Sequence, residues 1–282
     1  MLPPILVEDT GGNRGLALRL PRVVWIELTS RCPVDCVFCS RKSVRGSGEH
    51  MPFDLYTRLL SELDRPTTLR LSYSGESGHY PRLIEAIDAA KATRAEVELV
   101  TALVSVPDKI VAAMAERLDR ITVSIHTTND AEFRRIYRYG CFADFEHKLG
   151  IVTEVRRRRG GPTLDFCFVA MESNIPSLEG VVELARERYV KNVFVQPVMR
   201  RETFEYKFPE LDGAGRHDRD YAARLRDAVD LTQSRYAGVR IHIVNPRLKT
   251  QAKALPRSNT GRKSSNAPRI PGRRFMSCPM AM

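Results

Sequence analysis

Short apolar runs alternate along this chain with longer segments of helical period. The apolar runs lie at Val23–Leu28, Leu69–Tyr73, Val97–Thr101, Ile121–His126, Leu164–Ala170 and Asn192–Pro197. Between them, apolar residues recur every three or four positions, as Leu55, Leu59 and Leu63 do, and so share one helical face. Strands that alternate with helices pair in parallel, because each helix carries the chain back to the edge where the previous strand began. The sequence therefore predicts an α/β fold.

The six β/α units fall between residues 23 and 197, and their number predicts a partial, TIM-like (β/α)6 barrel. A helix near Tyr221–Thr232 and a strand near Val239–Val244 add a short C-terminal extension. We expect three regions: an N-terminal segment of residues 1–22, a core of residues 23–245, and a basic, Pro- and Ser-rich tail of residues 246–282. Ligands of such barrels bind at the carboxyl ends of the strands, where we therefore look for site residues.

Composition and charge argue against several classes of protein. Since no apolar run reaches the ~18 residues of a membrane span and the N-terminus lacks a signal-peptide pattern, we expect a cytoplasmic protein with no membrane partner. The net charge is +11, but nine Lys and Arg residues lie between Asn245 and Met282, a stretch without Asp or Glu, which leaves +2 on the preceding residues. A basic tail on a nearly neutral body is weak evidence for nucleic-acid binding, which we do not expect.

Three of the six cysteines are crowded into Cys32-Pro-Val-Asp-Cys36-Val-Phe-Cys39, directly after the first predicted strand. Such crowding in a chain of this size indicates metal binding rather than a disulfide scaffold. Thiolates are the usual ligands of a [4Fe-4S] cluster, and three of them leave one iron open to another ligand. The alternative is a zinc site completed by His50 or His79, although structural zinc sites usually use two C-x2-C-like pairs.

The C-x3-C-x2-C spacing, with the aromatic Phe38 before the third cysteine, resembles the signature of the radical S-adenosylmethionine (SAM) superfamily over about residues 20–200. The resemblance implies that Cys32, Cys36 and Cys39 bind three irons of a [4Fe-4S] cluster, whose open iron binds the amino and carboxylate groups of SAM. In the family, one-electron reduction cleaves SAM to a 5′-deoxyadenosyl radical, which abstracts a hydrogen atom from the substrate. The resemblance also implies an external electron donor such as flavodoxin or ferredoxin.

Motifs at the ends of later strands match family positions that contact SAM. Ser74-Gly75-Glu76 follows the second strand, where the family has a Gly-Gly-Glu-Pro-like segment at the SAM amino group, and the match is partial. Ser124 in the fourth strand matches a serine that hydrogen-bonds the ribose or the carboxylate of SAM. Arg138 lies in a segment similar to one whose arginine binds that carboxylate, a role that suits the guanidinium fork.

Four further residues are candidates. Met171, after the fifth strand, and Gln196, near the end of the sixth, lie where the family packs the adenine of SAM. His126 ends the fourth strand and is a candidate for facing the substrate, while no catalytic side chain is assigned. Cys278 lies in a segment that resembles the entry to the SPASM and Twitch extensions, which carry auxiliary clusters. We therefore interpret it as a candidate auxiliary-cluster ligand and the tail as the start of a truncated auxiliary domain.

The resemblance also suggests a substrate and a reaction. It is strongest to enzymes that tailor sugar, aminocyclitol and nucleoside antibiotics, such as cytosylglucuronate decarboxylase, and the few residues before the first strand leave no room for a leader-binding domain. We therefore expect a small polar substrate. Since the tail alone cannot ligate an auxiliary cluster, decarboxylation by a lyase is favoured over dehydrogenation. The alternatives are a SPASM-type peptide-modifying enzyme and a zinc-stabilised nucleic-acid-binding protein.

Overall fold

The computed structural model describes residues 22–63, 66–198 and 219–244. Their strands form one sheet of seven in chain order, each parallel to the next. The strands are β1 (Val23–Trp25), β2 (Thr68–Arg70), β3 (Glu96–Thr101), β4 (Arg120–Ser124), β5 (Thr163–Ala170), β6 (Asn192–Pro197) and β7 (Arg240–Ile243). The predicted α/β fold is confirmed, and the predicted C-terminal strand pairs with β6 as a seventh member of the sheet.

Helices connect the strands in the order that the sequence pattern predicts. Within the described residues they are α1 (Arg41–Arg45), α2 (Phe53–Glu62), α3 (Leu83–Ala92), α4 (Asp108–Arg117), α5 (Asp130–Tyr137), α6 (Phe142–Arg159), α7 (Leu178–Glu187) and α8 (Arg219–Arg235). Short 3-10 turns at Ser77–His79 and Glu172–Ser177 follow β2 and β5. None of the helices in the described part of the chain is both long and apolar enough to span a membrane.

Helix α5 follows β4 and has well-defined ends. The side chain of Asn129 accepts a hydrogen bond from the backbone N–H of Glu132 at 3.0 Å and caps the first turn. Asp130 and Glu132 place negative charge in that turn, where the helix dipole favours it. The helix ends where Arg138 adopts a left-handed conformation with φ of 50°. The carbonyls of its last turn accept hydrogen bonds from Asp35 and Val37 in the loop after β1.

One face of the sheet packs against the helices. The strand residues on this face are almost fully buried and include Leu69, Val97, Leu99, Ile121, Val123, Leu164, Phe166 and Val193. They belong to one core with helix residues such as Met114, Phe145 and Val181. Burial of each such side chain contributes about 1.5–3 kcal/mol before the entropy cost of folding is counted.

The opposite face of the sheet carries a chain of hydrogen-bonded charges, which we call the charged band. Arg70 Nε and Arg120 Nε both donate to the Glu98 carboxylate, at 2.6 and 3.1 Å. Arg120 also pairs with Asp165, which accepts a hydrogen bond from the Asn192 side chain at 2.8 Å. Closed TIM barrels usually fill their interior with branched aliphatic side chains. Here the charged band makes one level of the corresponding face polar from β2 to β6, while Val100 and Phe194 lie on the same face.

The charged band gives a prediction about stability. The Asp165 side chain is only 1% exposed and pairs with Arg120. Because Asp165→Asn removes the negative charge of this pair, we expect the free energy of unfolding to fall by about 2 kcal/mol. Glu154→Gln is the control, because the exposed Glu154 accepts hydrogen bonds from Arg157 and Arg158 on the surface of α6 and such pairs contribute little. Urea unfolding followed by circular dichroism measures both, and equal effects would contradict the prediction.

Candidate functional site

The three clustered cysteines lie in the loop between β1 and α1, at the carboxyl end of the sheet. Cys32 and Cys36 are half-buried, Cys39 is exposed, and all three are free thiols. Burial and the nearby Glu76 raise the pKa of Cys32 to about 11, and burial together with the two neighbouring thiols raises the pKa of Cys36 well above its usual range. A metal centre bound here must therefore displace protons and supply compensating positive charge.

The donor set distinguishes a cluster from a single zinc ion. Within the described residues, no three side chains of His, Cys, Asp or Glu converge closely enough to hold one metal ion. A zinc site needs four ligands at about 2.0–2.3 Å from a common centre, whereas a cubane cluster binds each thiolate through a different iron. Of the candidate zinc ligands, His79 hydrogen-bonds Ser105 at 3.1 Å and His50 packs against Tyr80. The thiols thus fit the cluster, and the zinc alternative gains no support.

The carboxyl end of α5 binds the middle of the cysteine loop through two backbone hydrogen bonds. The backbone N–H of Val37 donates to the carbonyl of Ile136 at 2.9 Å, and the N–H of Asp35 donates to the carbonyl of Tyr137 at 3.1 Å. These carbonyls belong to the last turn of the helix, whose carbonyl groups have no partner within the helix. The residues on both sides of Cys36 are therefore attached to a rigid element.

Aromatic rings form the layer beneath the cysteine loop. Phe38 packs edge-on against His126, with 4.8 Å between ring centroids, and His126 stacks on Tyr137 at 5.3 Å. His126 is 1% exposed, and its Nδ1 accepts a hydrogen bond from the backbone N–H of Val169 at 3.0 Å. Burial lowers the pKa of His126 to about 3, so the ring is neutral at physiological pH. His126 is a packing residue in this structure, and its contact with a substrate stays a prediction.

Glu76 joins three of the strand-end loops. Its side chain is buried, and its carboxylate accepts hydrogen bonds from the backbone N–H groups of Ala102 at 2.8 Å and Gly78 at 3.1 Å. Its own N–H donates to the carbonyl of Arg31 at 2.9 Å, beside Cys32. Burial raises the pKa of Glu76, and these hydrogen bonds partly offset that effect. Glu76 thus braces the loops after β1, β2 and β3.

Gly75 lies where the loops after β1 and β2 touch. A Cβ atom at this position would lie 2.2 Å from the carbonyl oxygen of Thr29 and 2.7 Å from that of Arg31. Any residue larger than glycine would therefore push the cysteine loop away from the Ser74–Glu76 segment. This close approach explains in physical terms why the motif needs a glycine at this position.

Ser74 is bound by Glu27, a residue that the sequence analysis does not single out. Both the N–H and the hydroxyl of Ser74 donate to Glu27 Oε1, the N–H at 3.0 Å. Glu27 also pairs with Arg45 at 3.2 Å, so one carboxylate links the end of β1 to the Ser74 loop and to α1. The only signal in the sequence is a charged residue within an apolar strand, and 47 positions separate it from its partner.

Ser124 and Arg138 lie on either side of α5. Ser124 is the last residue of β4 and is half-buried, and its carbonyl accepts the Tyr137 hydroxyl at 2.8 Å. The Arg138 guanidinium is 3.9 Å from the Asp35 carboxylate in the cysteine loop. The structure thus places both predicted SAM contacts beside the segment that carries Cys36.

The adenine candidates lie at the far end of the same edge. Met171 is fully buried, and its N–H donates to the Asn174 side chain at 2.7 Å. The Asn174 amide donates in turn to the carbonyls of His126 and Val169, both at 3.1 Å. Gln196 is half-buried on β6, in register with Val169 of β5. Met171 thus packs in the core beneath this edge, and Asn174 links the ends of β4 and β5.

All the candidate residues from Cys32 to Gln196 therefore lie along the carboxyl edge of β1 to β6, while Cys278 lies outside the described residues. The assignment of each residue to a ligand stays a prediction.

Gly75 gives a test of this packing. For Gly75→Ala we expect SAM binding to the iron- and sulfide-loaded protein to weaken about tenfold or more, because overpacking of this kind costs about 1–3 kcal/mol. Gly150→Ala is the matched control, since a Cβ at Gly150 in α6 meets nothing within 4 Å and alanine favours the helix. Iron content and equilibrium SAM binding measure the effect. If the two variants bound SAM equally well, the close contact at Gly75 would be irrelevant to the site.

Comparison with known proteins agrees with this geometry. Two curated relatives named PqqA peptide cyclase come from Ruegeria pomeroyi and Rhodopseudomonas palustris; they are 29% and 30% identical over 64% and 63% of this chain. The chain spans about half of their length, 48% and 47%. A crystal structure of Streptococcus suis SuiB bound to S-adenosylmethionine superposes with a TM-score of 0.64 at 15% identity, covering 85% of this chain and 54% of SuiB, and another contains the precursor peptide SuiA.

The family model that matches is the radical SAM superfamily, over residues 26–185, more than half of the chain. This stretch begins directly after β1 and includes the cysteine loop, the Ser74–Glu76 segment, Ser124 and Arg138. The chain belongs to the radical SAM superfamily, whose members bind a [4Fe-4S] cluster and S-adenosylmethionine.

Proposed function

We propose that this chain is a radical SAM enzyme that modifies a peptide, with Cys32, Cys36 and Cys39 as the ligands of its cluster. The observation that carries the proposal is the cysteine loop, which α5 and Glu76 hold at the carboxyl edge of the sheet. It offers three thiols, so one iron of a cubane bound there would have no thiolate from this loop and would stay open to SAM.

The surrounding side chains have separate tasks in this proposal. Backbone groups of the Ser74–Glu76 loop bind the SAM amino group, while Ser124 and Arg138 bind its ribose and carboxylate. Gln196 would flank the adenine, with Met171 packed in the core beneath it. The half-buried ring of Phe38 and the buried ring of His126 keep water from the inner side of the cysteine loop. With one electron from an external donor such as flavodoxin or ferredoxin, the cluster and SAM, when bound, would supply hydrogen-atom abstraction from the substrate.

A peptide substrate is supported by the relatives. Both curated relatives are named for cyclising the peptide PqqA. The similarity to each relative extends over 64% and 63% of this chain.

These findings favour the peptide alternative over the sugar and nucleoside substrates that the sequence resemblance suggests. Neither decarboxylation of a compound such as cytosylglucuronic acid nor the lyase class gains support from the relatives. Family membership also removes the basis for a zinc-stabilised nucleic-acid-binding protein.

The choice between substrates has a direct test. The protein is reconstituted anaerobically with iron and sulfide, reduced with dithionite, and incubated with SAM and either PqqA peptide or cytosylglucuronic acid. We expect the peptide to raise the yield of 5′-deoxyadenosine and to change in mass, as measured by mass spectrometry. A rise with cytosylglucuronic acid alone would contradict the peptide proposal and restore the sugar interpretation.

The ligand assignment has its own test. Cys36→Ala should lose the bound iron and sulfide together with SAM cleavage, because the remaining two thiolates do not satisfy the cluster. Cys141→Ala is the control: Cys141 is a free cysteine that is buried, at 2% exposure, and lies at the start of α6, outside the cysteine loop. Iron analysis and 5′-deoxyadenosine yield are measured for both. Full SAM cleavage by Cys36→Ala would refute the assignment.

A further inference from the structure

Tyr137 contacts both the cysteine loop and the end of β4. Its side chain is not one of the proposed cluster or SAM contacts. It is fully buried in the last turn of α5. Its backbone carbonyl accepts the N–H of Asp35 at 3.1 Å, one residue before Cys36. At the other end of the same residue, its hydroxyl donates to the carbonyl of Ser124 at 2.8 Å. A single residue thus joins the segment that carries a cluster ligand to the strand end that carries a predicted SAM contact.

The ring of Tyr137 has little freedom to turn. It stacks on Phe133 at 4.2 Å with 20° between the planes, and on His126 at 5.3 Å with 16° between the planes. Phe38, which directly precedes Cys39, closes the pile by packing edge-on against His126. Stacked aromatic contacts of this kind add stabilisation and orient the rings. The hydroxyl is therefore aimed at Ser124 by its surroundings.

We propose that Tyr137 is a positioning residue whose hydroxyl sets Ser124 relative to the cysteine loop, and thereby the geometry in which SAM meets the open iron. The inference rests on the proposed function, because it concerns the same site. The backbone bond to Asp35 and the side-chain bond to Ser124 act at opposite ends of one rigid side chain. A change at the hydroxyl therefore moves Ser124 while the attachment of the cysteine loop stays in place.

The test removes the hydroxyl and keeps the ring. Tyr137→Phe retains the stacking and the backbone hydrogen bonds but leaves the Ser124 carbonyl without this donor. Tyr56→Phe is the matched control, because Tyr56 is also fully buried and its hydroxyl donates to the carbonyl of Ala86 at 2.7 Å, away from the cysteine loop. Both variants lose a buried tyrosine hydroxyl that donates to a backbone carbonyl, so the two can be compared at similar losses of stability.

The measurements are iron and sulfide content, the dissociation constant of SAM, and the electron paramagnetic resonance spectrum of the reduced cluster with and without SAM. We expect both variants to bind a full cluster. Tyr137→Phe should bind SAM about three- to tenfold more weakly, the size expected from one hydrogen bond, and its SAM-induced spectral change should differ from that of the wild type. Tyr56→Phe should match the wild type in both.

Three results separate the possible failures. If Tyr137→Phe and Tyr56→Phe gave the same SAM affinity and the same spectra, Tyr137 would have only a structural role. Loss of iron in Tyr137→Phe alone would also overturn the inference, because the hydroxyl would then act on the cysteine loop rather than on Ser124. If SAM left the spectrum of the wild-type cluster unchanged, the proposed function itself would fail.

Discussion

The cysteine loop has no regular secondary structure of its own, and the whole site depends on the backbone hydrogen bonds that hold this loop. Two of them run to the last carbonyls of α5, and a third joins Arg31 to Glu76 in the next loop. Since a helix end and a strand end are both rigid, the thiols are presented by elements that cannot shift independently. This arrangement positions reactive groups accurately on a loop, where the chain has room for a large cofactor.

The two faces of the sheet differ in their chemistry. Aliphatic and aromatic side chains such as Leu99 and Phe166 bury one face against the helices. The other face carries the charged band, in which Glu98 and Asp165 offset Arg70 and Arg120. Because the charges are paired, the inner face stays polar without a large excess of one sign.

The sequence predicts those features whose signal is local. The apolar strand runs and the spacing of Cys32, Cys36 and Cys39 depend on neighbours in the chain. Each predicted strand is present, although β1 and β2 end three residues before the predicted Leu28 and Tyr73. Glu27 and the charged band depend on the register between strands far apart in the chain, so no local pattern indicates them. Tyr137 directly precedes Arg138, a predicted SAM contact, yet its proposed role depends on its position at the end of α5. The barrel residues do not indicate the substrate class. The relatives named for a peptide replaced the expectation of a small polar substrate.

The central claim is that the three cysteines leave one iron free to bind SAM. Mössbauer spectroscopy of protein reconstituted with 57Fe, recorded before and after SAM is added, tests it most directly. We expect a cubane cluster in which one iron of four changes its isomer shift and quadrupole splitting when SAM binds, while the other three keep theirs. A cluster whose four irons all stay unchanged, or a protein that takes up no cubane cluster at all, would contradict it.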